Sequence, residues 1–275
     1  MKYIKKIHHL PVSIILSGLF LIIISLWVII PNIIVPNALA QNLANSNLPA
    51  GSPGHILGTD VLGRDVLSML IAGSRSALTG PIAIASGSFI IGLLLGSIAG
   101  WYGGFIDRVI SAYADLTLSM PSMLLAIVAA GIIGGGYWVS VAVMIILYSP
   151  FDIRLVRSAV IVQKSKPYIE SALILKIKTL RILSRHIFPN IAMLVMVNFF
   201  LNIAFGLVSM SSLSFLGLGV GPGEADWGRL LADGRQVLFT APAQAVGAGI
   251  LIILSAVAIN LIGNFAMEKG DFDES

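Results

Sequence analysis

The chain has 275 residues, of which 57% are hydrophobic and only 11% charged, with no cysteine and a formal net charge of +4 at pH 7. Soluble domains carry roughly 25% charged residues, so this composition excludes an ordinary water-soluble surface. The absence of cysteine excludes a disulfide framework, a thiolate nucleophile and a Cys-based metal site. A basic nucleic-acid-binding face needs a soluble domain to carry it, so we expect no nucleic acid partner and basic membrane-flanking loops instead.

Charged residues cluster along the chain and leave long charge-free runs, such as Ile7 to Thr59 and Gln236 to Met267. Each run is long enough for one or two crossings of about 20 residues. Backbone polar groups in lipid must be satisfied internally, so the crossings are helices. We predict an all-α membrane protein with about six transmembrane helices, at about Pro11–Ile30, Leu78–Gly100, Ile110–Ile133, Tyr137–Val156, Asn190–Ser212 and Ala243–Ala266.

The distribution of Lys and Arg over the loops predicts the orientation of these helices. Four cations fall on one side, namely Arg64, Arg75, Arg229 and Arg235. The side that carries the other 13, including Lys2, Lys5, Lys6 and Lys269, is predicted to be cytoplasmic, together with both termini. The predicted segments are a tip with the first helix (1–35), an external loop (36–77), a five-helix core (78–267) containing a cytoplasmic loop (157–189), and a cytoplasmic tail (268–275).

The first span has some features of a secretory signal, because three lysines precede it and Ala38-Leu39-Ala40 resembles a cleavage site. Its apolar run, from Val12 to Ile30, is longer than a typical signal core. We therefore expect it to be retained as an anchoring helix, with cleavage as the alternative.

Small and polar residues inside the spans suggest helix contacts. A stripe of small residues follows one face of the second span at every fourth position: Ser88, Gly92, Gly96, Gly100 and Gly104. Such a stripe lets another helix approach closely, and a sliding surface is the alternative interpretation. Asn198, Asn202 and Asn260 are candidate pore-lining residues, although interhelical hydrogen bonding explains them equally well.

Several kinds of site are missing from the sequence. There is no Gly-Lys pair and hence no phosphate-cradling loop, so any ATP must be handled by a partner. The four histidines lack zinc-enzyme spacing, and no G-x-S-x-G elbow occurs, so we expect neither an enzyme nor a metal site. The acidic residues Asp107, Asp115 and Asp152 lie near predicted helix ends, which argues against an ion-coupled secondary carrier.

The predicted inner loop carries a specific pattern, in which Lys164-Ser165-Lys166-Pro167-Tyr168-Ile169-Glu170-Ser171-Ala172 is followed by Arg185-His186-Ile187-Phe188-Pro189-Asn190. This pattern is similar to the cytoplasmic EAA loop of bacterial ABC importer permeases. A short cation-rich helix held between two spans suits docking into a groove of a separate ATPase. An ordinary basic loop that obeys the positive-inside rule is the alternative.

Three further stretches resemble the dipeptide, oligopeptide and nickel importer permeases. They are His55-Ile56-Leu57-Gly58-Thr59-Asp60-Val61-Leu62-Gly63-Arg64-Asp65, Gly100-Trp101-Tyr102-Gly103-Gly104-Phe105-Ile106-Asp107-Arg108, and Ser214-Phe215-Leu216-Gly217-Leu218-Gly219 with Asp226-Trp227-Gly228-Arg229. The loop departs from the family pattern E-A-A-x-x-x-G, since Ser171 replaces an Ala and Lys176 stands at the Gly position. Because Lys does not readily adopt left-handed geometry, we expect this loop to turn differently.

The resemblance implies a type I ABC importer transmembrane domain in a bacterial inner membrane, forming half of a pore for peptides, nickel or metal chelates. It also implies a second homologous permease, two ATP-binding subunits that hold ATP-Mg, and an extracytoplasmic substrate-binding protein. The implied ATPase-coupling residues are Pro167, Tyr168, Glu170, Ser171, Ala172 and Lys176. The external loop or gate residues are Gly58, Thr59, Asp60, Gly63, Arg64, Asp65, Asp226, Trp227, Gly228 and Arg229, with simple turn and cap roles as the alternative.

The orientation gives a direct test. Reporter fusions after Ala50 and after Val220 are expected to read as external, and fusions after Lys164 and Ser275 as cytoplasmic, because Lys and Arg are retained inside. Alkaline phosphatase and fluorescent-protein fusions measure the two sides. A cytoplasmic reading at Ala50 would contradict the arrangement of six spans with both ends inside.

Overall fold

The computed structural model describes the backbone of residues 11–273 and the side chains of residues 11–266. Over this part of the chain the structure is helical and contains no β-strand. The predictions for Lys2, Lys5, Lys6 and Lys269 concern side chains outside the described residues.

The helices follow one another with short connections, except where two longer loops precede α3 and α10. In chain order they are α1 (Val12–Ile29), α2 (Pro31–Ile34), α3 (Val66–Tyr102), α4 (Gly104–Leu118), α5 (Ser122–Ile133), α6 (Tyr137–Lys164), α7 (Pro167–Ile174), α8 (Thr179–Ile182), α9 (Phe188–Phe215), α10 (Trp227–Gly234) and α11 (Ala243–Asp273). A π-helical turn, Leu183–Ile187, joins α8 to α9 without a break.

Five helical stretches of the described chain are long and apolar enough to cross a membrane. They are α1, α3, α6, α11 and the continuous stretch from Thr179 to Phe215. The pair α4 and α5 also qualifies when it is counted as one broken span, which gives six. The predicted membrane-spanning helical fold is therefore confirmed.

The third predicted span, Ile110–Ile133, is not one straight helix. It is divided between α4 and α5, whose axes differ by 89°. The break lies at Pro121, which has no N–H to donate and restricts the preceding residue to extended geometry. The crossing therefore bends sharply inside the apolar run.

Two helices extend well beyond their predicted ends. α3 begins at Val66, twelve residues before the predicted start, because the Asp65 carboxylate caps its first turn by accepting a bond from the Ser68 N–H at 2.8 Å. α6 continues to Lys164 instead of ending at Val156. The loop that was predicted to be cytoplasmic and to start at Arg157 therefore begins after Lys164, and Arg157 lies on a helix.

The small-residue stripe of α3 is a packing surface against α6. A Cβ atom added at Gly92 would lie 2.3 Å from the Asp152 Cβ, and one added at Gly96 would lie 2.7 Å from the Ile153 carbonyl oxygen. Gly100 has the same relation to Arg157, with 2.8 Å to its carbonyl oxygen. Gly104, by contrast, faces open space at the start of α4. The two helix backbones thus approach each other along three turns.

Pro150 interrupts the hydrogen-bond ladder of α6 and leaves the Ile146 carbonyl without its usual donor. The Tyr113 hydroxyl of α4 donates to this oxygen at 2.8 Å. A freed backbone carbonyl in the membrane needs such a partner. The bond therefore ties the outer part of α4 to α6 at the proline.

Apolar contacts form three clusters in the described residues. The largest joins α1, α3, α9, α10 and α11 around the fully buried Trp227. A second cluster lies between α3, α5, α6 and α9 around Met144. The third anchors α7 and α8 to the inner ends of α3 and α6 through Ile169 and Ile182. Ile24 of α1 is 1% exposed in the first cluster, so α1 packs against the other helices of this cluster.

The expectation that Lys176 avoids left-handed geometry is wrong. Lys176 has φ +53° and forms the turn that ends α7. Its N–H donates to the Leu173 carbonyl at 2.9 Å, and the Ile177 N–H donates to the Ala172 carbonyl at 3.1 Å. This pair of bonds is a Schellman motif, and its hydrogen bonds, together with the half-buried Ile177, offset the strain at Lys176.

The α3–α6 contact predicts that Gly96→Ala lowers the unfolding temperature in detergent. The added methyl group meets backbone and not a movable side chain, and such overpacking costs about 1 to 3 kcal/mol. Gly131→Ala on α5 is the matched control, because nothing lies within 4 Å of its added Cβ. Equal unfolding temperatures for the two variants would show that α3 and α6 do not depend on this contact.

The turn at Lys176 predicts that Lys176→Gly stabilises the end of α7 by about 1 kcal/mol, since glycine carries no left-handed penalty. Hydrogen exchange of the Ile177 amide should then slow about fivefold, because this amide closes the turn. Lys178→Gly is the control, since Lys178 has φ −59° and gains nothing from glycine. Faster exchange in Lys176→Gly than in the parent would contradict the left-handed turn.

Candidate functional site

Two acidic residues of the loops predicted to be external cap helices. Asp65 accepts bonds from the Ser68 N–H at 2.8 Å and the Ser68 hydroxyl at 2.7 Å, and its Oδ1 lies 3.0 Å from the His55 Nδ1. Asp226 caps α10 by accepting from the Arg229 N–H at 3.1 Å. Both carboxylates therefore fix the direction in which a helix leaves its loop.

The pKa values of these two caps move in opposite directions. Burial acts to raise the pKa of Asp65, but hydrogen bonds from Ser68 and His55 outweigh it and hold the pKa below the ordinary value. At Asp226 burial dominates, and the pKa is raised despite the hydrogen bonds from Arg229 and nearby serines. Asp65 is thus the cap that keeps its charge to lower pH than Asp226 does.

Asp60 and Arg64 form a buried ion pair inside the loop before α3. The Arg64 Nε donates to the Asp60 Oδ2 at 2.6 Å, and the two side chains are 5% and 2% exposed. Arg64 also donates to the Gly223 carbonyl at 3.2 Å, which ties this loop to the one before α10. Thr59 is buried beside the pair, and its hydroxyl accepts from the Leu48 N–H at 2.9 Å.

Glycines allow this loop to fold onto itself. Gly58 and Gly63 have φ of +76° and +70°, and an added Cβ at either would collide with backbone of the preceding segment. Gly228 is equally confined, because its Cβ would lie 2.2 Å from the Ser211 carbonyl oxygen. Trp227 is fully buried and donates to the Leu70 carbonyl at 2.8 Å. The structure thus gives these residues turn, cap and packing roles.

An external cavity of about 620 Å³ lies between the segment after α1 and the outer part of α3. Arg75, Ser76 and Thr79 line it from α3, and Glu224 lines it from the loop before α10. The Ser76 hydroxyl donates to the Ala225 carbonyl at 2.7 Å. Both external loops therefore meet at one concave surface, supported by the buried residues described above.

A polar cluster lies in the middle of the membrane-spanning helices. Asp152 is 4% exposed near the midpoint of α6, and not near a helix end as the sequence suggested. The reason is that α6 continues to Lys164. The Asn202 Nδ2 of α9 lies 2.9 Å from Oδ1 and 3.1 Å from Oδ2 of Asp152, and Asn198 donates to Oδ1 as well. Asp152 was missed as a site residue, although a lone acidic residue between apolar stretches was the available signal.

A cavity of about 390 Å³ adjoins this cluster. Asn198 and Asn202 line it from α9, Tyr148 lines it from α6, and Ser122 lines it where the broken span bends. Leu118 at the end of α4 and Ser122 at the start of α5 border the cavity on the side of the bend. Asn260 lies elsewhere, in a separate cavity between α9 and α11, where it accepts from the Asn264 Nδ2 at 2.9 Å.

The inner loop presents one buried and one exposed face. Ile169 and Ala172 of α7 pack into the core, and the Tyr168 hydroxyl bonds the Gln163 Oε1 at 2.7 Å. Pro167 starts α7, and the Ser171 hydroxyl bonds the Pro167 carbonyl at 3.1 Å.

The exposed face combines apolar side chains with charge. Glu170 is exposed in the first turn of α7, where a negative charge favours the helix dipole. Ile174, Leu175 and Leu180 are 80%, 73% and 77% exposed. The sequence interpretation did not single out these three residues, because which face of such a short helix is exposed depends on how it packs.

Polar contacts of Arg157 and Lys164 join the ends of α3, α4 and α6 that lie next to the inner loop. Arg157 of α6 holds Asp107 of α4 by two hydrogen bonds, from Nε to Oδ1 at 2.5 Å and from Nη2 to Oδ2 at 2.7 Å. The Lys164 ammonium donates to the Trp101 carbonyl at 2.6 Å and lies 5.4 Å from the centre of its ring. The inner ends of α3, α4 and α6 are therefore connected directly to the start of the loop.

Comparison with known proteins fits this architecture. Residues 92–269, more than half of the chain, match the family described as binding-protein-dependent transport system inner membrane component. The chain is 37% identical to a glutathione transport system permease protein of Pectobacterium atrosepticum, over 78% of this chain and 71% of that one. It is 35% identical to a dipeptide transport system permease protein of Alkalihalophilus pseudofirmus, over 79% and 71%.

A solved structure shares the fold. A chain of the methionine ABC transporter in an inward-facing conformation superposes with a TM-score of 0.58 at 18% identity, covering 74% of this chain and 96% of that one. The predicted type I ABC importer transmembrane domain is thereby confirmed. The chain belongs to the family of binding-protein-dependent transport system inner membrane components, the membrane-spanning permeases of ABC importers, and it is not an enzyme.

Proposed function

We propose that this chain forms half of the translocation pore of an ABC importer for peptides. A second homologous permease completes the pore, two ATP-binding subunits with ATP-Mg bind on the cytoplasmic side, and an extracytoplasmic binding protein delivers the cargo. The observation that carries the proposal is the family match over residues 92–269, combined with an apolar and charged docking face on the inner loop.

Peptides are the proposed cargo because of the relatives. Those named above transport glutathione or dipeptides, and a 35% identical relative of Pseudomonas aeruginosa is a di/tripeptide transport system permease protein. Nickel and metal chelates, which the sequence pattern left open, are not part of the names of these three proteins. The position of Asp152 removes the earlier argument against a secondary carrier, and family membership now takes its place.

The coupling surface is proposed to be the exposed face of α7 and α8. Ile174, Leu175 and Leu180 offer an apolar area that fits a groove on an ATPase by the helix-in-groove mode. Glu170 adds a charge at the edge of this area, and Lys176 sets the direction of the chain after α7. In the free chain these side chains expose apolar surface to water, which a bound partner removes.

Movement at this surface has a path to the pore. Ile169 and Ile182, on the opposite face, are fully buried against the inner ends of α3 and α6. A displacement of α7 therefore moves α6, and with it the polar cluster around Asp152. In the proposed cycle, ATP binding closes the two ATPases, the inner loops follow, and the pore opens outward.

The external surface is proposed to receive the binding protein. The buried Asp60–Arg64 pair and the two helix caps hold the loops in shape, while Ile56 and Val61 are 72% and 45% exposed at their surface. In the proposed orientation the chain lies in an inner membrane with the loop of 36–77 outside and both termini in the cytoplasm, and the distribution of Lys and Arg supports this proposal.

Glu170→Arg tests the coupling role. The reversed charge turns an attraction to a cationic ATPase groove into repulsion, and we expect about tenfold weaker ATPase association, with loss of ATP-driven peptide uptake. Insertion should be unaffected, because the inner side is already basic. ATPase pull-down and uptake by the reconstituted complex measure the two effects.

Glu268→Arg is the control, since it makes the same change in the predicted cytoplasmic tail, where the side chain lies outside the described residues. The control is expected to behave like the parent chain in both assays. Parent-like ATPase association and uptake in Glu170→Arg would contradict the assignment of this loop as the coupling element.

A further inference from the structure

Asp152 is a buried carboxylate whose bonding partners are neutral. Its oxygens accept from the amide nitrogens of Asn198 and Asn202, and Ser88 of α3 also hydrogen-bonds to it. None of the ion pairs of the described side chains includes Asp152. A charge in the membrane interior is expensive, and residues of this kind mark substrate pathways.

The carboxylate dictates the orientation of the two amides. An ionised carboxylate only accepts hydrogen bonds, so each asparagine must turn its nitrogen toward Asp152. Both Asp152 oxygens are engaged by the Asn202 Nδ2, at 2.9 Å and 3.1 Å. The oxygen and nitrogen of an amide diverge from the same carbon, so an asparagine that donates its Nδ2 to Asp152 keeps its Oδ1 as an acceptor for another donor.

Since both Nδ2 atoms are engaged by Asp152, the oxygens are the amide atoms left to accept hydrogen bonds from the adjoining cavity. Asn198 and Asn202 line it, whereas Asp152 itself does not. Most of the remaining wall is apolar, formed by Leu118, Leu147, Phe151, Leu201 and Phe205. Tyr148 also lines the cavity, but its hydroxyl is already paired with the Ser209 hydroxyl at 2.9 Å. The wall therefore offers two amide oxygens on a mainly apolar surface, with the Asp152 carboxyl group directly behind the amides.

We propose that this acceptor pair is a subsite for the primary ammonium group of a peptide cargo as it passes through the pore. The inference rests on the proposed function, and it adds which chemical group of the cargo this half of the pore recognises. Two amide oxygens match the donors of an ammonium group, and the Asp152 charge strengthens their attraction for it.

The indirect arrangement also suits transport. A cation in direct contact with a buried carboxylate forms an ion pair that is strongly destabilised when separated. Here Asn198 and Asn202 stand between the cargo and Asp152, so the carboxylate orients the acceptors without binding the cargo. Conduction requires sites that attract the cargo and still release it.

The test compares uptake of the dipeptide Ala-Phe with uptake of propionyl-Phe, in which a hydrogen replaces the ammonium group. Both are supplied at saturating binding protein to proteoliposomes that contain the complete importer with ATP inside. The preference is the ratio of Ala-Phe uptake to propionyl-Phe uptake. The ratio for the parent is divided by the ratio for each variant, so any selection by the binding protein cancels.

The variants are Asp152→Asn, which keeps the side-chain size but frees both amides to rotate, and Asn198→Leu, which removes one acceptor. Each should reduce the preference for Ala-Phe about tenfold, the value of one hydrogen bond to a charged group. Asn260→Leu is the matched control, because Asn260 lines a different cavity, and it should keep the parental preference. Complex yield and basal ATP hydrolysis verify that each variant assembles.

Parental preference in both Asp152→Asn and Asn198→Leu would overturn the subsite while leaving ATP-driven uptake intact. If one variant fails to assemble, the other decides alone. Equal uptake of Ala-Phe and propionyl-Phe by the parent would also overturn it. If the parent takes up neither Ala-Phe nor propionyl-Phe with ATP, the proposed peptide import is refuted, and the subsite with it.

Discussion

The close approach of α3 to α6 is the contact on which the rest of the structure depends. Gly92, Gly96 and Gly100 bring the two backbones so near that an added methyl group at any of them would collide with α6. Lipid supplies no hydrophobic drive for helices to associate, so close packing of this kind is what holds them together. Because the contact involves backbone atoms along three turns, α3 and α6 form a rigid pair onto which the other elements pack.

Both functional regions follow from this pair. Near the middle of α6, the contact at Gly92 leaves Asp152 against Asn198 and Asn202 of α9, and the cavity that these asparagines line lies beside the bend before α5. At the inner end, the anchored face of α7 rests on the same two helices. One rigid unit therefore joins the proposed ATPase contact to the proposed pore wall, so a movement at one end reaches the other without an intervening flexible segment.

The sequence predicted what the lipid environment dictates and failed where local geometry competes with it. Helical spans and the packing role of Gly96 follow from apolar runs and small-residue spacing, so both are confirmed. The bend at Pro121 was missed because the run is apolar on both sides of the proline, and hydropathy does not register a break. Asp152 was misplaced because α6 continues past the apolar run. The expectation for Lys176 was wrong because the intrinsic preference of lysine disfavours a positive φ. The Schellman hydrogen bonds that stabilise this turn become visible only in three dimensions.

The central claim is that this permease moves cargo at the expense of ATP on partner subunits, and not along an ion gradient. Proteoliposomes of the complete importer, supplied with binding protein and a labelled dipeptide, separate the two when ionophores collapse every ion gradient. The account predicts that uptake continues with ATP inside and stops when a non-hydrolysable analogue replaces it. Uptake that disappears with the ionophores, or that persists with the analogue, would contradict it.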